Sequence, residues 1–118
     1  MKRLIPFTLV GALALAASAG AATPSKTTLV ASVGPGFTIS LKKGGVNVKT
    51  LKPGAYVIKV SDKSSLHNFH LRGPGVNKAT TVAFTGSKSF PVTLRNGSYR
   101  FQCDPHKSQM RGSFTVRS

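Results

Sequence analysis

From Thr27 to the C-terminus, apolar and polar residues alternate in short runs, and each run is closed by Gly, Pro, Asn or Ser. A period of two sends successive side chains to opposite faces of a strand. The pattern predicts strands over Thr28–Val33, Phe37–Leu41, Ala55–Val60, Asn68–Leu71, Thr80–Phe84, Ser89–Leu94, Ser98–Cys103 and Gly112–Val116. No stretch of helical length in this region repeats its apolar residues every 3.6 positions. Many short strands with regular turn signals point to a sandwich or a barrel. The turns Lys43-Gly44-Gly45, Lys52-Pro53-Gly54 and Arg95-Asn96-Gly97 supply residues that tolerate positive φ. Two of them open a weak internal echo: Leu51-Lys52-Pro53-Gly54-Ala55-Tyr56 parallels Leu94-Arg95-Asn96-Gly97-Ser98-Tyr99. A single pair is too little for a repeat architecture and reads as two similar hairpin entries.

The first residues follow a different rule. Lys2 and Arg3 precede an uncharged apolar run from Leu4 to Ala17, and Ala17-Ser18-Ala19 supplies the small residues of a cleavage site. This is the anatomy of a secretory signal peptide. A run of roughly 14 residues is short of the ~20 that span a bilayer. The expected division is a signal peptide over 1–21, followed by one domain over 22–118 after a short lead through Lys26. The expected location is the periplasm or the extracellular space. With just under 100 residues left, about one modest core can form.

Charge narrows the partners. The 118 residues hold 17 Lys and Arg against two acids, Asp62 and Asp104, for a net charge of +15. A field of that size draws anionic partners. The cations are scattered along the chain (Lys42, Lys59, Lys78, Arg100, Arg117) rather than clustered. Nucleic acid is therefore not expected, and an acidic redox protein is. Peripheral contact with an anionic envelope is the second option, simple solubility a third, and a monomer is the default at this size. Two acids in the whole chain leave little room for a catalytic carboxylate pair.

The C-terminal third carries the chemistry. Cys103-Asp104-Pro105-His106-Lys107-Ser108-Gln109-Met110 sets a thiolate, an imidazole and a thioether within eight residues. In Tyr99-Arg100-Phe101-Gln102-Cys103, alternation puts Tyr99, Phe101 and Cys103 on one apolar face, so the sulfur aims at the core. Pro105 stiffens the loop that follows. Soft sulfur donors with imidazole suit copper, and one Cys with two His and a weak axial Met is the blue-copper set. The second His comes from His67-Asn68-Phe69-His70. Strand alternation puts His67 on the face of Phe69 and His70 on the other, which favours His67. His70 is then a surface group or one that supports the ligands.

These residues resemble those of the cupredoxin family, the type 1 blue-copper proteins that include plastocyanin, amicyanin, pseudoazurin and azurin. The motifs that carry the resemblance are His67-Asn68, the second His three residues on, and Tyr99-x-Phe101-x-Cys103-x-Pro105-His106 followed by Met110 and Gly112. The likeness covers roughly Val33 to Val116, with its specificity in about fifteen residues. It implies an all-β, antiparallel Greek-key β-sandwich and one mononuclear copper ion. His67, Cys103 and His106 would be equatorial ligands and Met110 the axial one, and the activity would be one-electron transfer rather than enzymatic turnover. Asn68 is expected to hydrogen-bond across to the loop carrying Cys103 and Asp104, with Asp104 otherwise a loop residue. An electron port is expected at His106, ringed by Pro35, Phe37, Pro74 and Pro105. Two other readings use the same scaffold: a copper carrier or scavenger with the same four ligands, and a metal-free basic binding module.

Overall fold

A computed structural model of the chain describes residues 26–118 together with the isolated Arg3 and Gly11. Apart from those two, the expected signal peptide lies outside the described residues. Ten strands follow in order: β1 (Thr27–Val33), β2 (Ile39–Lys43), β3 (Val46–Asn47), β4 (Thr50–Leu51), β5 (Gly54–Asp62), β6 (His70–Gly73), β7 (Val76–Ala79), β8 (Gly86–Leu94), β9 (Gly97–Gln102) and β10 (Arg111–Val116). They form two five-stranded sheets, β3-β2-β1-β5-β8 and β4-β10-β9-β6-β7. The protein is an all-β sandwich. The expectation of wholly antiparallel pairing needs one correction, because β1 runs parallel to β5 and β10 parallel to β4. The parallel pairs arise where the chain crosses from one sheet to the other instead of turning back as a hairpin.

The alternation drives the packing. Leu29, Ala31 and Val33 of β1, Tyr56, Ile58 and Val60 of β5, and Tyr99 and Phe101 of β9 all point inward and are buried, while their neighbours face solvent or lie half-buried. Two stacked aromatic pairs bridge the inner positions, Phe69 on Phe101 at 5.7 Å and Tyr99 on Phe114 at 5.3 Å. The internal echo has a structural cause. The Tyr56 hydroxyl donates to the Lys52 carbonyl at 2.6 Å, and the Tyr99 hydroxyl lies 3.2 Å from the Arg95 carbonyl, each four residues back. Both are tyrosine corners, which pin the turn before a strand to the strand itself. Gly44 and Gly45 join β2 to β3 with φ of 57° and 81°, as a two-residue hairpin turn requires.

Several strand expectations shift: Phe37–Leu41 is displaced to Ile39–Lys43 as β2, and Ser89–Leu94 starts three residues earlier, at Gly86, as β8. Asn68–Leu71 begins two residues late, as β6, and Thr80–Phe84 is not a strand; β7 ends just before it, at Ala79. The run Thr80-Thr81-Val82-Ala83-Phe84 has strand composition but forms a turn closed by the Phe84 N–H on the Thr81 carbonyl. β3 and β4, two residues each, are too short to leave a periodic trace.

Gly112 has a packing reason to be glycine. A Cβ there would sit 2.3 Å from Cζ of Phe101, the ring stacked on Phe69 below Cys103. Gly112→Ala is expected to lower stability by about 2 kcal/mol through overpacking. Denaturant unfolding measures this, and a loss below about 0.5 kcal/mol would mean the ring has room to move.

Candidate metal centre

Three donors converge at one end of the sandwich. β9 ends at Gln102, and Cys103 follows in extended conformation, still in the alternation and fully buried. One 3-10 turn, Asp104–His106, is the only helical turn among the described residues, and it swings His106 back beside the sulfur. The loop closes on itself: the Cys103 N–H donates to the Met110 carbonyl at 3.0 Å, and the Met110 N–H to the His106 carbonyl at 2.8 Å. These bonds bring the Met110 backbone level with Cys103, and the Met110 side chain is fully buried. The third donor, His67, arrives from a different loop. There the Asp62 carboxylate accepts the Ser64 N–H at 2.9 Å and the Ser64 hydroxyl accepts the Leu66 N–H at 3.2 Å, a pair of turns that delivers His67 from the end of β5. Burial raises the Asp62 pKa, against the Ser64 hydrogen bond and the attraction of His67.

The donor geometry is compact. His67 Nδ1 and His106 Nδ1 lie 3.1 Å apart, and each is 3.6 Å from Cys103 Sγ. The point equidistant from all three lies about 2.0 Å from each, within the ~2.0–2.3 Å that imidazole nitrogen and thiolate keep from a small metal ion. His67, Cys103 and His106 are thus positioned as a metal site. His67 is only 4% exposed, whereas His106 is half-buried and reaches the surface. Phe37 covers both imidazoles, with ring centroids 5.6 Å from His67 and 5.0 Å from His106. Its loop is held by the Gly34 N–H on the Thr38 carbonyl and the Thr38 hydroxyl on the Pro35 carbonyl.

The two loops that carry the donors are tied together by one side chain. The Asn68 carbonyl oxygen accepts the Asp104 N–H at 2.7 Å, and its amide nitrogen lies 2.9 Å from Asp104 Oδ2 and 3.2 Å from the Thr80 carbonyl. The bridge from Asn68 to Asp104 expected from the sequence is present. Asp104 itself is more than a loop residue. Partial burial pushes its carboxyl up, but hydrogen bonds from Gln102, Asn68 and His70, and the charge of His70, outweigh this and hold it below the ordinary carboxylate range. His70 links Asp104 at 2.9 Å to Asn77 Oδ1 at 2.6 Å, so it supports the loop of Cys103 and His106 from outside. Thr80 is a contributor that the sequence left hidden. Its buried hydroxyl accepts the Phe69 N–H at 2.9 Å, and its N–H donates to the Phe69 carbonyl.

Period two selected His67 over His70, but the segment obeys no strand alternation. His67, Asn68 and Phe69 are all buried in irregular backbone. Pro74 does not join the rim of the site. Its carbonyl accepts the Tyr99 hydroxyl at 2.8 Å, and its ring packs over Gly97, at the start of β9 and about 20 Å along the strand from Cys103. Asn68→Ala would remove three hydrogen bonds, one of them to the buried Thr80 carbonyl and two to the partly exposed Asp104, and is expected to destabilise the metal-free protein by about 2 kcal/mol. Chemical denaturation tests this; a change under about 1 kcal/mol would show that the loops hold their register without the clasp.

A family profile described as copper binding proteins, plastocyanin/azurin family, matches residues 22–117. Among solved structures, reduced rusticyanin superposes with a TM-score of 0.59 at 19% identity, over 79% of this chain and 81% of that one. Rusticyanin from Thiobacillus ferrooxidans gives 0.55 at 22% identity, over 79% of each. An oxidised amicyanin variant gives 0.51 at 16% identity, over 80% of this chain and 95% of that one. At these identities the likeness is one of fold. No curated protein sequence matches the chain significantly. The profile spans nearly the whole chain and includes all three converging donors, so the protein belongs to the copper-binding plastocyanin/azurin family, the cupredoxins.

Proposed function

We propose that the protein is a type 1 blue-copper electron carrier, with His67, Cys103 and His106 as equatorial ligands and Met110 as the axial one. The observation that carries this is the donor triangle, two imidazole nitrogens and one thiolate around a point about 2.0 Å from each. A bound copper ion would supply one-electron chemistry, and the set of one thiolate, two imidazoles and a weak thioether is the donor set that suits it. The chain's own part is to hold the donors still. Cys103 and Met110 are sealed from water, and their loop is cross-bonded to itself and clasped by Asn68. Donors that barely move between two oxidation states keep reorganisation small. His106, half-buried beside the 60%-exposed Phe37, would be the port through which the electron passes. With all four ligand positions supplied by protein, no position is left for a substrate, which favours a carrier over an enzyme.

The wider setting follows the same reading. Residues 1–21 would be a leader removed on export to the periplasm or beyond, leaving a monomeric domain over 22–118; the family match starting at residue 22 supports this division. Removing Lys2 and Arg3 leaves 15 basic residues against two acids, so a partner with an acidic surface is favoured.

The deciding experiment is a visible and electron paramagnetic resonance spectrum of the copper-loaded protein. An intense blue copper–thiolate band is expected that bleaches on reduction and is missing from Cys103→Ser. A colourless protein that passes its copper to an acceptor without cycling would instead make it a carrier of the metal. Salt provides a second check. Oxidation by an anionic reagent should be faster than by a cationic one of equal driving force. The gap should close as ionic strength rises and the screening length falls from about 30 to about 3 Å. A salt-independent ratio would remove steering from the picture.

A further inference from the structure

The outer face of the second sheet carries an arrangement that the metal site does not explain. Register places Arg72 of β6 directly opposite Arg100 of β9, and Arg111 of β10 directly opposite Gln102, one diagonal step from Arg100. Like charges facing each other across strands weaken a sheet. Among the described residues the one ion pair is His70 with Asp104, so no carboxylate neutralises any of these arginines. The ligand loop adds to the same spot. Lys107 and Ser108, just after His106, join Arg100, Gln102 and Arg111 around an open notch of about 250 Å³. The nearest acid, Asp104, is already engaged by Asn68, His70 and Gln102.

We infer that this notch is a binding site for an oxyanion of the phosphate type, either free or carried by a lipid headgroup. The chemistry is complementary at each position. Two guanidinium groups offer forked donors that match tetrahedral oxyanions, and charge-assisted bonds of this kind are the stronger ones. Lys107 contributes a third positive charge, and the Ser108 hydroxyl a neutral donor. A bound anion relieves the repulsion between Arg100 and its diagonal neighbour Arg111, which no carboxylate of the described residues compensates. The site lies outside the metal ligands, so it goes beyond the redox proposal and is testable whether or not copper binds. Its position still matters for the metal, because Lys107 and Ser108 belong to the loop that spans His106 and Met110.

The test is a titration of isotope-labelled protein with inorganic phosphate at constant ionic strength, followed by nuclear magnetic resonance. Saturable shifts are expected at the amides of Lys107 and Ser108 and at the side-chain N–H groups of Arg100 and Arg111. Arg100→Gln and Arg111→Gln should each weaken binding about tenfold, the loss of one charge-assisted bond. Lys59→Gln, which removes an exposed charge from the other sheet, should leave it unchanged. Vesicles of phosphatidylglycerol form the second arm, with phosphatidylcholine as the blank. Vesicle binding that is lost in Arg100→Gln assigns the site to headgroups; phosphate binding without vesicle binding assigns it to a free anion. Shifts that never saturate, or a loss in Lys59→Gln equal to that in Arg100→Gln, overturn the proposal and reduce the effect to the general positive field.

Discussion

Asn68 spans a gap between two loops that have no covalent reason to stay in register. One loop leaves β5 and brings His67; the other leaves β9 and brings Cys103 and His106. Three donors within 3.6 Å of one another need that register held to a fraction of an ångström. A side-chain amide does this well, because it accepts from the Asp104 backbone and donates to both the Asp104 carboxylate and the Thr80 carbonyl. Its burial strengthens each bond and makes each one costly to lose. The surroundings then fall into order. His70 and Gln102 hold Asp104 from the solvent side, Thr80 holds Phe69 from the core side, and Phe37 closes the top over both imidazoles.

Much of this could be read from the residues, and the reasons differ from place to place. Strand β9 announced itself because its inner residues, Tyr99 and Phe101, and Cys103 just beyond its end face a continuous core while Arg100 meets water. That contrast is what alternation records. Around His67 the same reasoning reached the residue that converges with Cys103 and His106, but on the wrong grounds. His67, Asn68 and Phe69 are buried together because Asn68 has hydrogen-bond partners inside, and a satisfied polar side chain leaves no mark in an apolar pattern. The strand expected from Thr80 failed for a related reason, since Thr80 serves the loop of Phe69 through its hydroxyl rather than a ladder. Pro74 was misplaced because loops of similar composition occur at both ends of a sandwich, and only strand direction tells them apart.

The distribution of charge divides the molecule into two regimes. Both acids of the chain are spent near the metal centre: Asp62 shapes the turn leading to His67, and Asp104 receives the clasp. Elsewhere the described surface has cations and neutral polar groups. Exposed ion pairs are worth little in any case, so the fold gives up little by lacking them. Its cohesion comes from the two-sheet core, from the backbone ladders and from the two tyrosine corners that fasten Lys52 and Arg95 to the strands that follow.

The complete burial of Cys103 has a consequence for what happens when the fold is lost. While the sandwich is intact its only thiol touches no solvent, so oxidants and other thiols cannot reach it. Unfolding exposes that sulfur at once, and with no second cysteine in the chain, any disulfide it forms must join two molecules. Under oxidising conditions heat inactivation therefore becomes a one-way process whose rate depends on protein concentration. The lifetime of the protein is then set by the population of opened molecules and by how often two of them meet.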